Sequence, residues 1–518
     1  MKGLKKKYPQ LFKLSFAPIL FISLLLILGF LVRVININQR NLMFGYDEVE
    51  DLIYVKRIVF NKDLVVIGKA IYGDPNLRHG VFSYYLMAPG SILFHQDPSG
   101  VALWNGIFNL FTAVVVYFIA GLVFKNKKMS IVSSVLYTFS YLAIEYSGWV
   151  CHPVFAPLFV SLFFLGLWRL FEGKPWGLLL SLTFMGLSIQ SDLMFLYLLP
   201  IFVLYILLFR PRYPGVKIVV LSIVSFLLSM ATIIYTELKF NFSGVRTILY
   251  FFVNFERGRN SLFERLSLFL RKFFEMFAYN IIPEEPKLGL FIAFFAVLTI
   301  IISLLKSKQS ERVRILFLLF YLFSPAITLF IGFHNKPWSF IGILPVISIT
   351  MSYVIVKLQK KILIFGVVAL ITYFNIQGVL KLKSANKLIM AVPSSSFLSS
   401  QLRVIDYTYQ SSGGKSFALD AVTYPLYVNT YWSYDYPWYG LKKYGYLPTW
   451  SGSQQIYPHD SLAQATGKED NIYLIIDDTF DIPLWAKLKA KEYWDTKSLL
   501  IEEKEIGGFI VQKRKLLI

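Results

Sequence analysis

Apolar runs long enough to cross a hydrocarbon layer recur along this chain, and they constrain its fold more than any other feature. About 20 consecutive apolar residues span a bilayer core as a helix, which satisfies every backbone N–H and C=O within the segment. Such runs lie at 11–33, 100–124, 129–146, 150–170, 176–190, 192–209, 216–236, 288–305, 313–332, 338–356 and 362–378. Eleven transmembrane helices are therefore expected. A soluble fold is excluded, since hydrophobic residues make up 56% of the 518. The first run follows the charged start MKGLKKKYPQ, but it is long for a signal-peptide core and no small-residue cleavage site follows, so a membrane anchor is expected. One further run, 81–94, is short and interrupted by Pro89 and Gly90, which predicts an interfacial or re-entrant segment.

The charge pattern orients these spans. Omitting 81–94 from the count places the N-terminal lysines on one side with Lys125, Lys127, Lys128, Arg169, Lys174, Arg210, Arg212, Lys217, Lys306, Lys308, Arg312, Arg314, Lys357, Lys360 and Lys361. The short turns opposite carry only Lys336. The positive-inside rule makes the crowded side cytoplasmic, with the N-terminus inside a plasma membrane and stretches 34–99, 237–287 and 379–518 outside. The net charge of +21 is thus topological, and no nucleic-acid partner is expected. The single cysteine, Cys151, excludes an internal disulfide and a cysteine-cluster metal site and reads as packing.

After Lys381 the spans give way to Tyr- and Trp-rich polar sequence with strand-like runs SFALDAV and NIYLIIDD, then SLLIEEKEIGGFIVQKRK, two alternating runs around Gly507 and Gly508. Residues 1–380 are expected to form a membrane domain and 381–518 a small α/β domain outside it. The stretch YWSYDYPWYG within it suits either stacking on sugar rings or core packing.

Acids crowd one place. FGYDEVEDLIYVKRIV follows the first span and puts Asp47, Glu48, Glu50 and Asp51 at the start of an amphipathic helix. Helix capping and dipole compensation account for such a cluster, but a carboxylate near hydrocarbon is also suited to general-base work, because its pKa is pushed toward the working range.

The Asp47-Glu48 pair, with Tyr54 on the same helix, resembles the first external loop of the GT-C superfamily of membrane glycosyltransferases, especially the protein O-mannosyltransferases and the lipid A aminoarabinose transferases. RHGVFSYYLMAPGSILF, WNGIFNLFTAVVVYFIAGLVF, EYSGWVCHPVFAPLFVSLFFLGLWRL, GLSIQSDLMFLYLLP and HNKPWSFIGILPVISI are similar to further segments of that superfamily, over roughly residues 10–360. Arg78, His79 and Gly80 stand where relatives commonly carry prolines. The resemblance implies a GT-C fold of eleven transmembrane helices and transfer of a sugar, with inversion, from a polyprenyl-phosphate carrier to a protein, glycolipid or cell-wall glycan acceptor on the outer face. Membrane lipid is a further partner.

Within that reading Asp47 is the expected general base and Glu48 a second catalytic residue, which could instead position Asp47 or hold a backbone amide. Lys336, Arg257, Arg259, Arg78 and His79 are candidates for the donor phosphate, against snorkelling or anchoring to lipid headgroups. Tyr54, His152, Asp192 and His334 are candidates to line the cavity. No histidine pair stands at ligand spacing such as H-x-x-x-H, so no cofactor is required, although related oligosaccharyl transferases use a divalent metal. The rivals are a polysaccharide polymerase or ligase, which would depend on loop arginines, and a transporter or flippase, which would place ionisable groups at mid-membrane.

Overall fold

A computed structural model describes residues 16–37, 42–71, 74–253, 261–330, 337–381, 392–479 and 482–517. The chain is mainly helical. The first span is α1 (Phe16–Ile37), followed by the amphipathic α2 (Tyr46–Val59), a short hairpin β1 (Ala70–Ile71) and β2 (Asp74–Arg78), and α3 (Phe82–Leu93), which contains Pro89. Then come α4 (Pro98–Phe124), α5 (Lys127–Thr138), α6 (Tyr141–Ser147), α7 (Ala156–Phe171), α8 (Trp176–Ser191) and α9 (Leu198–Phe209). The second half of the bundle holds α10 (Val216–Ser229), α11 (Ala231–Lys239), α12 (Ser243–Val253), α13 (Leu262–Ile281), α14 (Pro286–Lys306), α15 (Gln309–Leu322), α16 (Leu344–Val356) and α17 (Lys361–Lys381).

Among the described residues six helices are long and apolar enough to cross a membrane, or eight when two bent pairs each count as one. The remaining expected spans are shorter or broken. The run 129–146 stops at Thr138 because the Ser140 hydroxyl accepts from Ala143 N–H and starts α6 anew. The run 192–209 begins as a 3₁₀ turn, Leu193–Tyr197, capped by Asp192. The chain bends by 61° between α10 and α11, and by 49° after α15. Capping side chains and local breaks inside apolar sequence escape a hydropathy count, which sees only length.

Small residues and one buried cation hold the bundle. A Cβ on Gly166 of α7 would stand 2.7 Å from the Gly177 carbonyl oxygen, so α7 and α8 meet with backbones nearly touching. Arg33 of α1 is fully buried and donates to Gly29 O (3.0 Å), Thr138 O (3.1 Å) and Asn109 Oδ1 (2.6 Å), tying α1 to α4 and α5.

The C-terminal region carries a five-stranded sheet in the order β4-β3-β5-β7-β6, comprising β3 (Phe417–Val422), β4 (Thr449–Trp450), β5 (Asn471–Asp477), β6 (Ser498–Ile506) and β7 (Phe509–Leu516). β3 pairs in parallel with β4 and β5, while β7 runs antiparallel to β5 and β6. Side chains alternate between its faces: Tyr473 and Ile475 pack with the helix Leu398–Ser412, and Ile472, Leu474 and Ile476 with the helix Leu484–Asp495. The β6–β7 turn needs positive φ at Gly507 and Gly508 (61° and 88°), which glycine supplies. This region is stitched to the chain before α2, where Phe44 N–H donates to Ser396 O (2.7 Å), Leu398 N–H to Leu42 O (3.1 Å) and Gln401 Nε2 to Phe44 O (2.7 Å).

Candidate active site at the start of α2

The first turn of α2 presents Asp47 and Glu48 beside its exposed backbone N–H groups, where negative charge is favoured. Glu48 turns inward. Its Oε2 accepts from Gly45 N–H (2.8 Å) and its Oε1 from the Trp149 indole, so both oxygens are engaged in capping and packing. Asp47 and Asp51 lie one turn apart on one face, with Tyr54 a further turn along.

That face meets Lys69. Its ammonium lies 2.9 Å from Asp47 Oδ1 and 2.9 Å from Asp51 Oδ1, and it donates to the Asp47 carbonyl at 2.9 Å. The side chains of Lys69 and Asp51 are 4% and 0% exposed, whereas Asp47 is 58% exposed, so Asp47 is the accessible end of a buried charge pair. The hairpin sets the lysine: Gly68 packs on the His79 carbonyl, Ala70 pairs with Arg78, and His79 N–H donates to Lys69 O (3.1 Å).

Below Lys69 the polar network continues inward. Asp51 Oδ2 accepts the His152 backbone N–H (2.7 Å) and lies 2.8 Å from His152 Nδ1, while Cys151 Sγ is 3.4 Å from the same nitrogen. His152 Nε2 faces Asp192 Oδ2 at 4.0 Å. The His79 ring packs on the His152 ring with centroids 4.0 Å apart, and its buried Nδ1 has no hydrogen-bond partner. Gly80 makes this possible, since a Cβ there would stand 2.8 Å from Gln190 Cα at the end of α8. Among the described residues, Asp51, Cys151 and His152 form the one group of three potential metal ligands whose donor atoms all lie within 4.8 Å of one another.

Burial alone would push the Asp51 carboxyl up, but Lys69 and then His152 outweigh it and hold the group well below the usual carboxylate range. Burial likewise opposes charge on Lys69, and Asp47 and Asp51 overcome it, so its pKa stands well above that of a free lysine. For His79 burial and the neighbouring His152 and Lys69 act together and lower its pKa well below the ordinary value. Glu48 is pushed up to about 7, by burial first and by the Asp47 charge second, against the bonds from Trp149 and the backbone.

Of the expected site residues, the structure gathers Asp47, Glu48, Tyr54, His79, His152 and Asp192 around this network. Tyr54 packs on Tyr84 with ring centroids 5.2 Å apart, beneath the Arg57 guanidinium. Arg78 sits at the hairpin edge, 4.8 Å over the Phe240 ring, and donates to Gly68 O (3.4 Å). Arg257, Arg259, His334 and Lys336 lie outside the described residues. The aromatic stretch YWSYDYPWYG is packing: Tyr431, Trp432, Tyr434 and Tyr436 are buried. Two members of the network stand outside the expected site residues: Asp51, visible one turn after Asp47, and Lys69, signalled only as a lone cation in the apolar stretch VVIGKAIY; Cys151 is buried in the core, as its packing reading expects.

The C-terminal region flanks the same helix. His459 Nε2 is 3.4 Å from Glu50 Oε2, Tyr424 meets the Tyr46 ring edge-on at 6.5 Å, and the Tyr457 hydroxyl is shared by Arg57, Asn61 and Asp63.

No protein-family model and no curated protein matches this sequence. Among solved structures, ArnT from Cupriavidus metallidurans bound to undecaprenyl phosphate overlays with a TM-score of 0.59 at 10% identity, covering 96% of this chain and 98% of that one. The same protein in its apo state gives 0.59 at 11% identity over the same shares. The archaeal oligosaccharyltransferase AglB from Archaeoglobus fulgidus overlays more loosely, at 0.42 and 11% identity over 84% of this chain and 65% of that one. At such identity the likeness is one of architecture: the chain is a multi-pass membrane protein with a fold like that of ArnT and a sheet-bearing C-terminal region.

Proposed function

We propose that this chain is a glycosyltransferase that moves a sugar from a polyprenyl-phosphate donor to a hydroxyl acceptor on the outer face of the plasma membrane. The observation that carries the proposal is the pairing of an accessible carboxylate, Asp47, with the buried ammonium of Lys69 in a GT-C-like bundle. ArnT, whose structure holds undecaprenyl phosphate, supports a lipid phosphate as the donor carrier. The outward orientation is supported by the helix ends: the site lies after α1 and before α4 and α7, while Lys125, Arg169, Lys306 and Lys357 follow or close the opposite ends of their helices.

In this reaction the donor phosphate takes the place of Asp47 on the Lys69 ammonium. The carboxylate so released accepts the proton of the acceptor hydroxyl as its oxygen attacks the anomeric carbon. The bond from that carbon to the phosphate oxygen breaks on the opposite face, and Lys69 stabilises the charge that develops on the leaving phosphate. Inversion follows from the in-line geometry. Asp51 keeps Lys69 charged and in place when it leaves Asp47. Lys69 thereby joins Arg78 and His79 as a candidate for phosphate recognition.

The test is transfer by the purified full chain from a panel of radiolabelled polyprenyl-phosphate sugars to added acceptors. Labelled product from at least one donor supports the proposal. Movement of an intact lipid-linked sugar across a vesicle membrane, without release of polyprenyl phosphate, would replace it with a flippase.

A further inference from the structure

The group beneath Lys69 has the chemistry of a transition-metal site. Cys151 and His152 come from the turn before α7 and Asp51 from α2, so the donors converge only in the folded chain and show no ligand spacing in sequence. Thiolate, imidazole and carboxylate together suit zinc. Tetrahedral zinc holds neighbouring N, O and S donors roughly 3.3–3.6 Å apart. Here Cys151 Sγ and His152 Nδ1 are 3.4 Å apart, and Asp51 Oδ2 and His152 Nδ1, at 2.8 Å, need to open only slightly.

Two further observations point to a ligand. A metal-bound histidine commonly directs its other ring nitrogen at a carboxylate, and His152 Nε2 faces Asp192 Oδ2 across 4.0 Å. His79 lies against the His152 ring with a buried Nδ1 that has no hydrogen-bond partner, so a polar atom beside the group is left for a ligand or its water to satisfy. Lys69 is not in the way: it engages Asp51 through Oδ1, while the donor set uses Oδ2.

We propose that Asp51, Cys151 and His152 bind one zinc ion, with water in the fourth position and Asp192 orienting His152. Binding expels the thiol proton of Cys151 to solvent and moves the Nδ1 proton of His152 to Nε2, where it faces Asp192. The ion fixes Asp51, and through Asp51 Oδ1 it fixes Lys69. Asp51, Cys151 and His152 are then positioning residues.

The test uses the full chain, purified without a histidine tag, stripped with chelator and titrated with Co²⁺ and then Zn²⁺. One cobalt per chain with a near-ultraviolet thiolate-to-cobalt charge-transfer band, lost on adding zinc, is expected. The chain has a single cysteine, so that band can come only from Cys151. Asp192→Asn should also weaken zinc binding by roughly ten- to a hundredfold. Cobalt retained without a thiolate band, or no metal retained by the native folded chain, overturns the proposal; neither readout depends on a variant folding.

Discussion

Lys69 keeps a positive charge in a place where burial opposes it, and two carboxylates make that possible. Removing the ammonium leaves Asp51 buried without its counter-charge, so Lys69→Met affects both chemistry and folding. In transfer assays at equal folded amounts Lys69→Met should lower kcat/KM by about 100- to 1000-fold, the range for losing one stabiliser of developing charge. Glu48 gives a pH signature. Its folded pKa of about 7 lies above the ordinary 4.5, so the folded chain holds this proton more tightly than the unfolded one. Its contribution is therefore fully present below 4.5 and is lost as pH rises through about 7. Glu48→Gln should flatten the fall in thermal-inactivation midpoint over that window. Equal slopes for native and variant chains would contradict the assignment. The Asp47-Glu48 pair was legible because both acids are contiguous and follow a span. Lys69 was not, because its meeting with Asp47 depends on the register of β1 and β2 and the close approach of Gly68 to His79.

Helix contacts carry the site, and their sequence signal is uneven. The amphipathic α2 and the Gly-Gly hairpin of β6 and β7 were readable from charge and alternation. The breaks at Ser140, Asp192 and Met230 were not, since one polar or capping residue does not change the mean hydropathy of a run. Gly166 tests the close packing of α7 and α8, between which the His152 and Asp192 ends of the bundle are held. Gly166→Ala places a methyl 2.7 Å from the Gly177 carbonyl oxygen and should destabilise the detergent-solubilised chain by about 1–3 kcal/mol. Gly366→Ala, whose Cβ meets nothing within 4 Å, is the matched control and should leave the melting midpoint unchanged or slightly raised. A similar loss at Gly366, where alanine adds helix propensity and meets no neighbour, would show that the loss at Gly166 does not report the contact of α7 with α8.

At the scale of the whole molecule, the bundle and the sheet-bearing region meet on α2. Strands β3, β5, β6 and β7 were legible; the two-residue β4 and the contact with α2 were not, because Thr449, Trp450, Tyr457 and His459 lie in polar sequence with no periodicity. Tyr457→Phe removes one hydroxyl shared by Arg57, Asn61 and Asp63 on an exposed rim. It should change global stability by no more than about 1 kcal/mol, while amide exchange in residues 453–461 speeds up. Unchanged exchange there would show that the hydroxyl does not pin the segment.

In the proposed reaction Asp47 removes the acceptor proton while Lys69 holds the phosphate. The most direct measurement is single-turnover transfer from a bound polyprenyl-phosphate sugar by the native chain and by Asp47→Asn, with donor binding measured in parallel. The rate should be at least about a hundredfold lower in the variant, the usual scale of a lost general base, with donor still bound. Transfer at the native rate by Asp47→Asn would contradict it.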